Sequence, residues 1–260
     1  ATRGSECLPT SLTIGTFLKS LRNYKDGGKH ALFMPTAEGP CRFGQYRTLH
    51  RMVLDRAGMK DVAILSPSSY NSYQGLDEAV RRSIWKAFVT SDVLFKAGCK
   101  VRPYEIHPGE TDRVLAECVS RMEARFEKSD DIYGLIGDCM ERIRAIDTSG
   151  SPKPLVGVVG EIYVRCNEFA NESVVRSIER FGGEAWLAPM SEWILYTMAI
   201  QSVSFRDRSR NFFKKWLSDL KNIYIFNVEH KIYEAAGSFL ANRHEPDIHE
   251  VIDEGAKYMP

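Results

Sequence analysis

Long apolar runs are missing from this sequence. The most apolar stretch, residues 193–200, stops at Gln201, short of the ~20 residues that span a bilayer. Charge of one sign is missing too: 35 basic against 34 acidic side chains leave +1, which excludes a broad electrostatic footprint for nucleic acid. The densest basic stretch, Arg206, Arg208, Arg210, Lys214 and Lys215, is broken by Asp207, Phe212, Phe213 and Trp216 and reads as a solvated helix face. No apolar core of a secretory signal precedes the first polar residues, so a cytoplasmic chain with reduced thiols is expected. None of the six cysteines forms a C-x-x-C pair, which removes the zinc-ribbon and thioredoxin-like patterns. The six histidines (30, 50, 107, 230, 244 and 249) show no metal-binding spacing. Nucleophile-elbow and dinucleotide fingerprints are absent as well, which weakens hydrolase and nicotinamide-dehydrogenase readings.

What remains is a globular profile, 43% hydrophobic and 27% charged over 260 residues, enough for one large domain or two ordinary ones. Helical spacing of Ile14, Phe17, Leu18 and Leu21 predicts a helix over 10–23. Residues 30–35 and 61–66 are short apolar runs, read as buried strands, with a helix over 42–58 between them. Such a β-α-β rhythm favours a parallel sheet covered on both faces. Residues 77–146 are helical throughout, broken at Arg102-Pro103 and His107-Pro108-Gly109. Residues 148–154 form the clearest linker. A second α/β unit follows, with strands at 155–159 and 184–188, a helix at 171–181, and long helices to about Arg243. The start at Ala1 and the end at Met259-Pro260 read as an excised piece of a longer protein.

Two cysteines stand out by position. Cys7 precedes the first helix, with Pro9 in its first turn, where a missing N–H is tolerated. Cys41 lies between the first strand and the second helix, flanked by Gly39, Pro40, Arg42 and Gly44. Both occupy amino ends of helices, where unpaired N–H groups and the helix dipole favour a thiolate. Gly39 and Gly44 leave room for a bulky inorganic core, and Arg42 supplies a positive charge. Cys41 also follows the carboxyl end of a strand, where ligands collect in parallel sheets. On spacing alone, a ligand pair and two inert cysteines beside turn prolines are equally good readings. Cys166, after Tyr163-Val164-Arg165, is a further candidate ligand, though a packed cysteine is the default there. Cys99, Cys118 and Cys139 lie on helical faces and read as core. Glu38 and Glu161, at strand ends, are candidate proton-transfer groups. His50 reads as a surface or packing residue.

Whole segments carry a resemblance. Residues 4–17, around Cys7, and 34–46, around Cys41, resemble the two cysteine motifs of D-component-like proteins of the 2-hydroxyacyl-CoA dehydratase and benzoyl-CoA reductase family. Residues 154–165, 182–189 and 191–194 match further on. The likeness is nearest to the dehydratase-like part of large CoA-substrate-specific enzyme activase proteins, and it covers most of the chain. It implies two Rossmann-like α/β/α units with parallel sheets. It also implies an iron–sulfur cluster, [4Fe-4S] or a double-cubane variant, held by three cysteines. An ATP-hydrolysing activator supplies a low-potential electron, which true dehydratases pass to a CoA thioester.

Only Cys7 and Cys41 carry over as ligands, since the family's third cysteine segment has no counterpart before Pro260. The activator's Gly-rich phosphate loop is also missing. The combined expectation is an α/β protein divided as 1–105, a helical connector over 106–150, and 151–260. It would act in anaerobic metabolism as a homo- or heterodimer with an ATP-dependent activator. Gly39, Pro40 and Arg42 would line the cluster. The rivals are a non-catalytic scaffold or regulatory module of the same fold, and a zinc-thiolate protein.

Overall fold

A computed structural model describes residues 6–23, 28–37, 41–68, 73, 75–128, 131–208 and 212–258, without the side chains of 200–215, 217–219 and 221. The basic stretch from Arg206 to Lys215 therefore falls outside the described side chains. The chain divides into two compact units, 1–81 and 82–260. It is mainly helical, with two small parallel sheets among the described residues.

The first unit packs α1 (Leu8–Asn23) and α2 (Tyr46–Arg56) with β1 (Ala31–Phe33) and β2 (Ala63–Leu65). Parallel strands need a crossover, which α2 supplies. The pair runs in register from Ala31↔Ala63 to Phe33↔Leu65 and continues through Met34 N to Leu65 O (2.9 Å) and Thr36 N to Pro67 O (3.0 Å). Ile14, Leu32, Val53 and Leu54 form the core, with Phe17, Leu18, Leu21 and Leu49 around it. Those apolar spacings are the ones that predict the two helices. The strands differ from the buried runs expected: Phe33 and Leu65 are 51% and 56% exposed, because a two-stranded sheet alternates its side chains.

The predicted helix over 42–58 begins as a 3-10 turn, Arg42–Gln45, before becoming α-helical. The cause is a close approach. A Cβ on Gly44 would lie 2.5 Å from the Ala37 carbonyl oxygen, and the Thr36 hydroxyl donates to the Gly44 carbonyl at 3.2 Å. Only glycine lets the turn lie against the end of the strand this closely.

In the second unit, α3 (Glu78–Val101) is followed by α4 (Glu110–Glu127) and α5 (Tyr133–Arg144). Next come β3 (Leu155–Val158), the short α6 (Ile162–Arg165), α7 (Val174–Arg180) and β4 (Glu184–Leu187). The unit ends with α8 (Met190–Arg208), α9 (Phe212–Ala236), a 3-10 segment Gly237–Arg243 and α10 (Ile248–Ala256). Leu155↔Glu184 to Val158↔Leu187 pair in parallel. Val89, Val93 and Ala97 of α3 meet Cys118 of α4, Ile136, Cys139 and Ile143 of α5, and Ile232 of α9, all essentially inaccessible. Emptying any one large site here, as in Ile143→Ala, costs about 2–5 kcal/mol.

The division differs from the one read in the sequence, because residues 106–150 supply two walls of this core. Their apolar stripes point into it. A smaller cluster of Cys99, Val175 and Ala185 joins α3 to α7 and β4, beside the buried Arg102–Glu179 ion pair (2.7 Å). The helix expected from 171 starts at 174, since Glu172 and Ser173 take positive φ. The tight packing of α7 on β4 requires Gly183, where a Cβ would meet Ile178 at 2.8 Å.

Candidate functional site

Cys7 caps α1 through its carbonyl, which accepts from Thr10 N (3.1 Å) and Ser11 N (3.5 Å). Pro9 offers no N–H, so the backbone donors expected to favour a thiolate at that end are largely occupied. Cys41, extended at φ −69°, ψ 131°, caps the 3-10 turn leading into α2, and its side chain makes no capping hydrogen bond. Cys7 is half-buried and Cys41 exposed. The two helices they precede are tied near their amino ends by His50. Its Nε2 lies 3.3 Å from the Thr10 carbonyl and 3.2 Å from the Thr13 hydroxyl. A carbonyl only accepts, so Nε2 carries the hydrogen and donates. His50 is fully buried, so it is a packing residue. Burial holds its pKa below the usual value, opposed by the bond to Thr10. Its Nδ1 has no partner among the described residues.

Glu38, Gly39 and Pro40 lie outside the described residues. Arg42 opens the 3-10 turn directly after Cys41. Glu161 spends its carboxylate on capping α6, accepting from Val164 N at 2.8 Å. Cys166 is exposed at the other end of that short helix. Desolvation raises its thiol pKa, with Arg165 opposing, which disfavours the thiolate a metal needs. Cys99, Cys118 and Cys139 are buried, as their helical spacing predicts. Among the described residues no three His, Cys, Asp or Glu side chains converge to hold a metal ion. Among the described residues, Cys7 and Cys41 therefore belong to no group of three metal-ligating side chains.

The second unit contains a polar cluster not singled out by the sequence reading. Asp92 and Lys96 lie one turn apart on α3, among the core residues Val89, Val93 and Ala97. Asp92 accepts from the Met190 and Ser191 amides (3.1 and 2.8 Å), capping α8. Lys96 donates to the Tyr233 hydroxyl (3.0 Å), the Arg243 carbonyl (2.7 Å) and Glu245 Oε1 (2.5 Å). Trp186, on β4, donates to the same Glu245 oxygen at 2.9 Å. Arg165 reaches the loops after both strands, donating to Gly160 O (3.2 Å) and Pro189 O (2.9 Å).

Burial raises the pKa of Asp92, which the Ser191, Met190 and Lys96 contacts oppose. Burial also raises Glu192 and Glu229, and Glu245 pushes both further. Carboxyls of this kind hold a proton closer to neutral pH than exposed ones, the property acid–base groups need. Asp92 and Arg165 lie beyond the carboxyl ends of β3 and β4, where parallel sheets collect ligands, while Lys96 and Glu245 lie beside Trp186 within β4. One sequence signal points to it: charged residues at core spacing in α3.

Compared with protein-family models, curated proteins and solved structures, the chain matches none. No described helix is long and apolar enough to cross a membrane.

Proposed function

We propose that this chain is an iron–sulfur-binding component of an electron-transfer or reductive system related to the 2-hydroxyacyl-CoA dehydratases and benzoyl-CoA reductases. In this reading it works with an ATP-dependent activator, and its two β-α-β pairs are the starts of two Rossmann-like units. The observation that supports it most is the contrast among cysteines. Cys7 and Cys41 are the two that combine accessibility with a place at the amino ends of helices tied together by His50. The segments around them are also the ones that resemble the family.

The donor set fits such a group in part. Cys7 and Cys41 would supply two thiolates, and no third His, Cys, Asp or Glu side chain converges with them among the described residues. When bound, a cluster supplies one-electron chemistry at low potential. The chain's own contribution is positional. The 3-10 turn seated against Ala37 fixes Cys41, and the Thr10–His50 contact fixes the first turn after Cys7.

Iron and acid-labile sulfide per chain, measured on oxygen-free protein, test the reading. Bound iron with broad absorption near roughly 400 nm, lost in both Cys7→Ser and Cys41→Ser while the fold persists, is the expected result. Colourless protein without iron points to the scaffold reading. Zinc on the same thiols points to a structural metal, since zinc lacks that absorption. Equal iron in the wild type and both variants overturns the assignment.

A further inference from the structure

We infer that the second unit binds a small molecule carrying linked phosphates, in a cleft between α3, α5 and α9. The cleft measures about 380 Å³ and is lined by Arg82, Ser83 and Lys86 of α3, Tyr133 of α5, and Tyr224, Asn227, Val228 and Lys231 of α9. This volume lies within the roughly 300–1,000 Å³ of small-molecule sites. Three of the lining residues are cations and none is a carboxylate. In a chain with 34 acidic side chains and a net charge of +1, a concave surface of one sign is a local arrangement. Asp131, just before α5, accepts from the Tyr133 amide at 3.2 Å.

The cations are placed rather than loose. Arg82 lies over the Tyr224 ring, 5.1 Å from its centroid, and Lys86 over Tyr133 at 5.7 Å. Neither Lys86 nor Lys231 has a carboxylate partner among the described residues. Ring contacts that hold long cationic side chains reduce the ordering entropy a ligand must overcome. Ser83, Asn227 and the tyrosine hydroxyls add neutral hydrogen-bond partners for phosphate oxygens. Cations on two different helices suit two linked phosphates better than one.

Titration calorimetry of the whole chain with pyrophosphate, ADP and adenosine, in phosphate-free buffer, tests the inference. Pyrophosphate and ADP should bind and adenosine should not. Added salt should weaken binding, since these charges are solvent-facing and screened over about 8 Å at physiological ionic strength. Lys86→Ala/Lys231→Ala should weaken both anions roughly tenfold or more, while Lys60→Ala in the first unit leaves them unchanged. The single variants Lys86→Ala and Lys231→Ala, each checked by circular dichroism, give the same reading if the double variant fails to fold. ADP binding much tighter than pyrophosphate assigns the cleft to nucleotides; equal affinities assign it to the diphosphate alone. Absence of binding by both anions at about 5 mM, or full binding by folded lysine variants, overturns the inference.

Discussion

Lys96 on α3 and Glu245, 149 positions later, meet at 2.5 Å with side chains only 5% and 15% exposed. The pair anchors the segment after the 3-10 turn Gly237–Arg243 to the core, because Lys96 also holds the Arg243 carbonyl and the Tyr233 hydroxyl. Its ammonium lies 5.1 Å from the Tyr233 ring centroid and 5.9 Å from that of Trp186. Breaking a buried pair leaves an uncompensated charge, and that penalty exceeds the net strength of the pair itself. Lys96→Met should therefore destabilise the second unit by about 3 kcal/mol. All four tryptophans lie in this unit, so the urea midpoint by fluorescence reads the change. An unmoved midpoint would show that the anchor is dispensable.

The same cluster sets a pH dependence with a definite sign. Asp92, Glu192 and Glu229 have folded pKa values raised above the unfolded ones, burial being the main cause. The folded unit thus binds protons more tightly than the unfolded chain. Stability falls as pH rises from about 4.5 through the raised values, and the full penalty remains above them. Glu229 faces His244 (3.8 Å), and His230, Lys96 and Glu245 also act on it. His244 is 43% exposed, so little pairing energy is lost with the carboxylate. Glu229→Gln should raise the fluorescence midpoint at pH 8 and leave it nearly unchanged at pH 5. The opposite ordering would mean that Glu229 is held charged by its neighbours.

His50 gives the first unit the contrary trend. Its folded pKa is lowered by burial, so the stabilisation is complete above about pH 6.5 and is lost as pH falls below it. His50→Ala should cost about 2–3 kcal/mol, through the cavity and the lost contacts to Thr10 and Thr13. Hydrogen exchange at the Thr10 and Ser11 amides is the local readout, since both close the turn after Cys7. Lower protection there, relative to the intrinsic exchange rate at the same pH, is expected in the variant and in the wild type near pH 5.5. Exchange that ignores both changes would separate His50 from the placement of Cys7.

Much of the fold was legible because the chain writes its elements in apolar spacing. Ile14, Phe17, Leu18 and Leu21 predict α1, and the runs around Leu32 and Ile64 predict β1 and β2. The linker at 148–154 separates the central helices from the second α/β part. The role of residues 106–150 was not legible, because a helical stripe such as Val114, Cys118 and Met122 shows that a face is buried without naming its partner. The polar cluster was hidden for a related reason. Asp92 and Lys96 gain meaning only when Glu245 and Ser191 arrive from far along the chain. The cysteines were separable by local setting: those on periodic helical faces are buried, and those at junctions are accessible.

That separation makes the thiols themselves a test, one in which access and acidity pull in different directions. Cys118 and Cys139 share a hydrogen bond that lowers the pKa of Cys118 and raises that of Cys139. By acidity alone, Cys118 would be the reactive thiol of the pair. Yet both are wholly inaccessible, so access governs, and neither should alkylate before the unit unfolds. Cys99, buried and with its pKa pushed up to about 11, should be inert on both counts. Cys41 and Cys166 are exposed, and Cys41 should label first at pH 8, because desolvation raises the pKa of the Cys166 thiol. Cys7, half-buried, should follow more slowly. Timed iodoacetamide labelling with peptide mass spectrometry orders all six. Early modification of Cys118 in native protein would mean that α4 and α5 part readily, and the core drawn around Cys139 and Ile143 would then be less tightly closed than their burial implies.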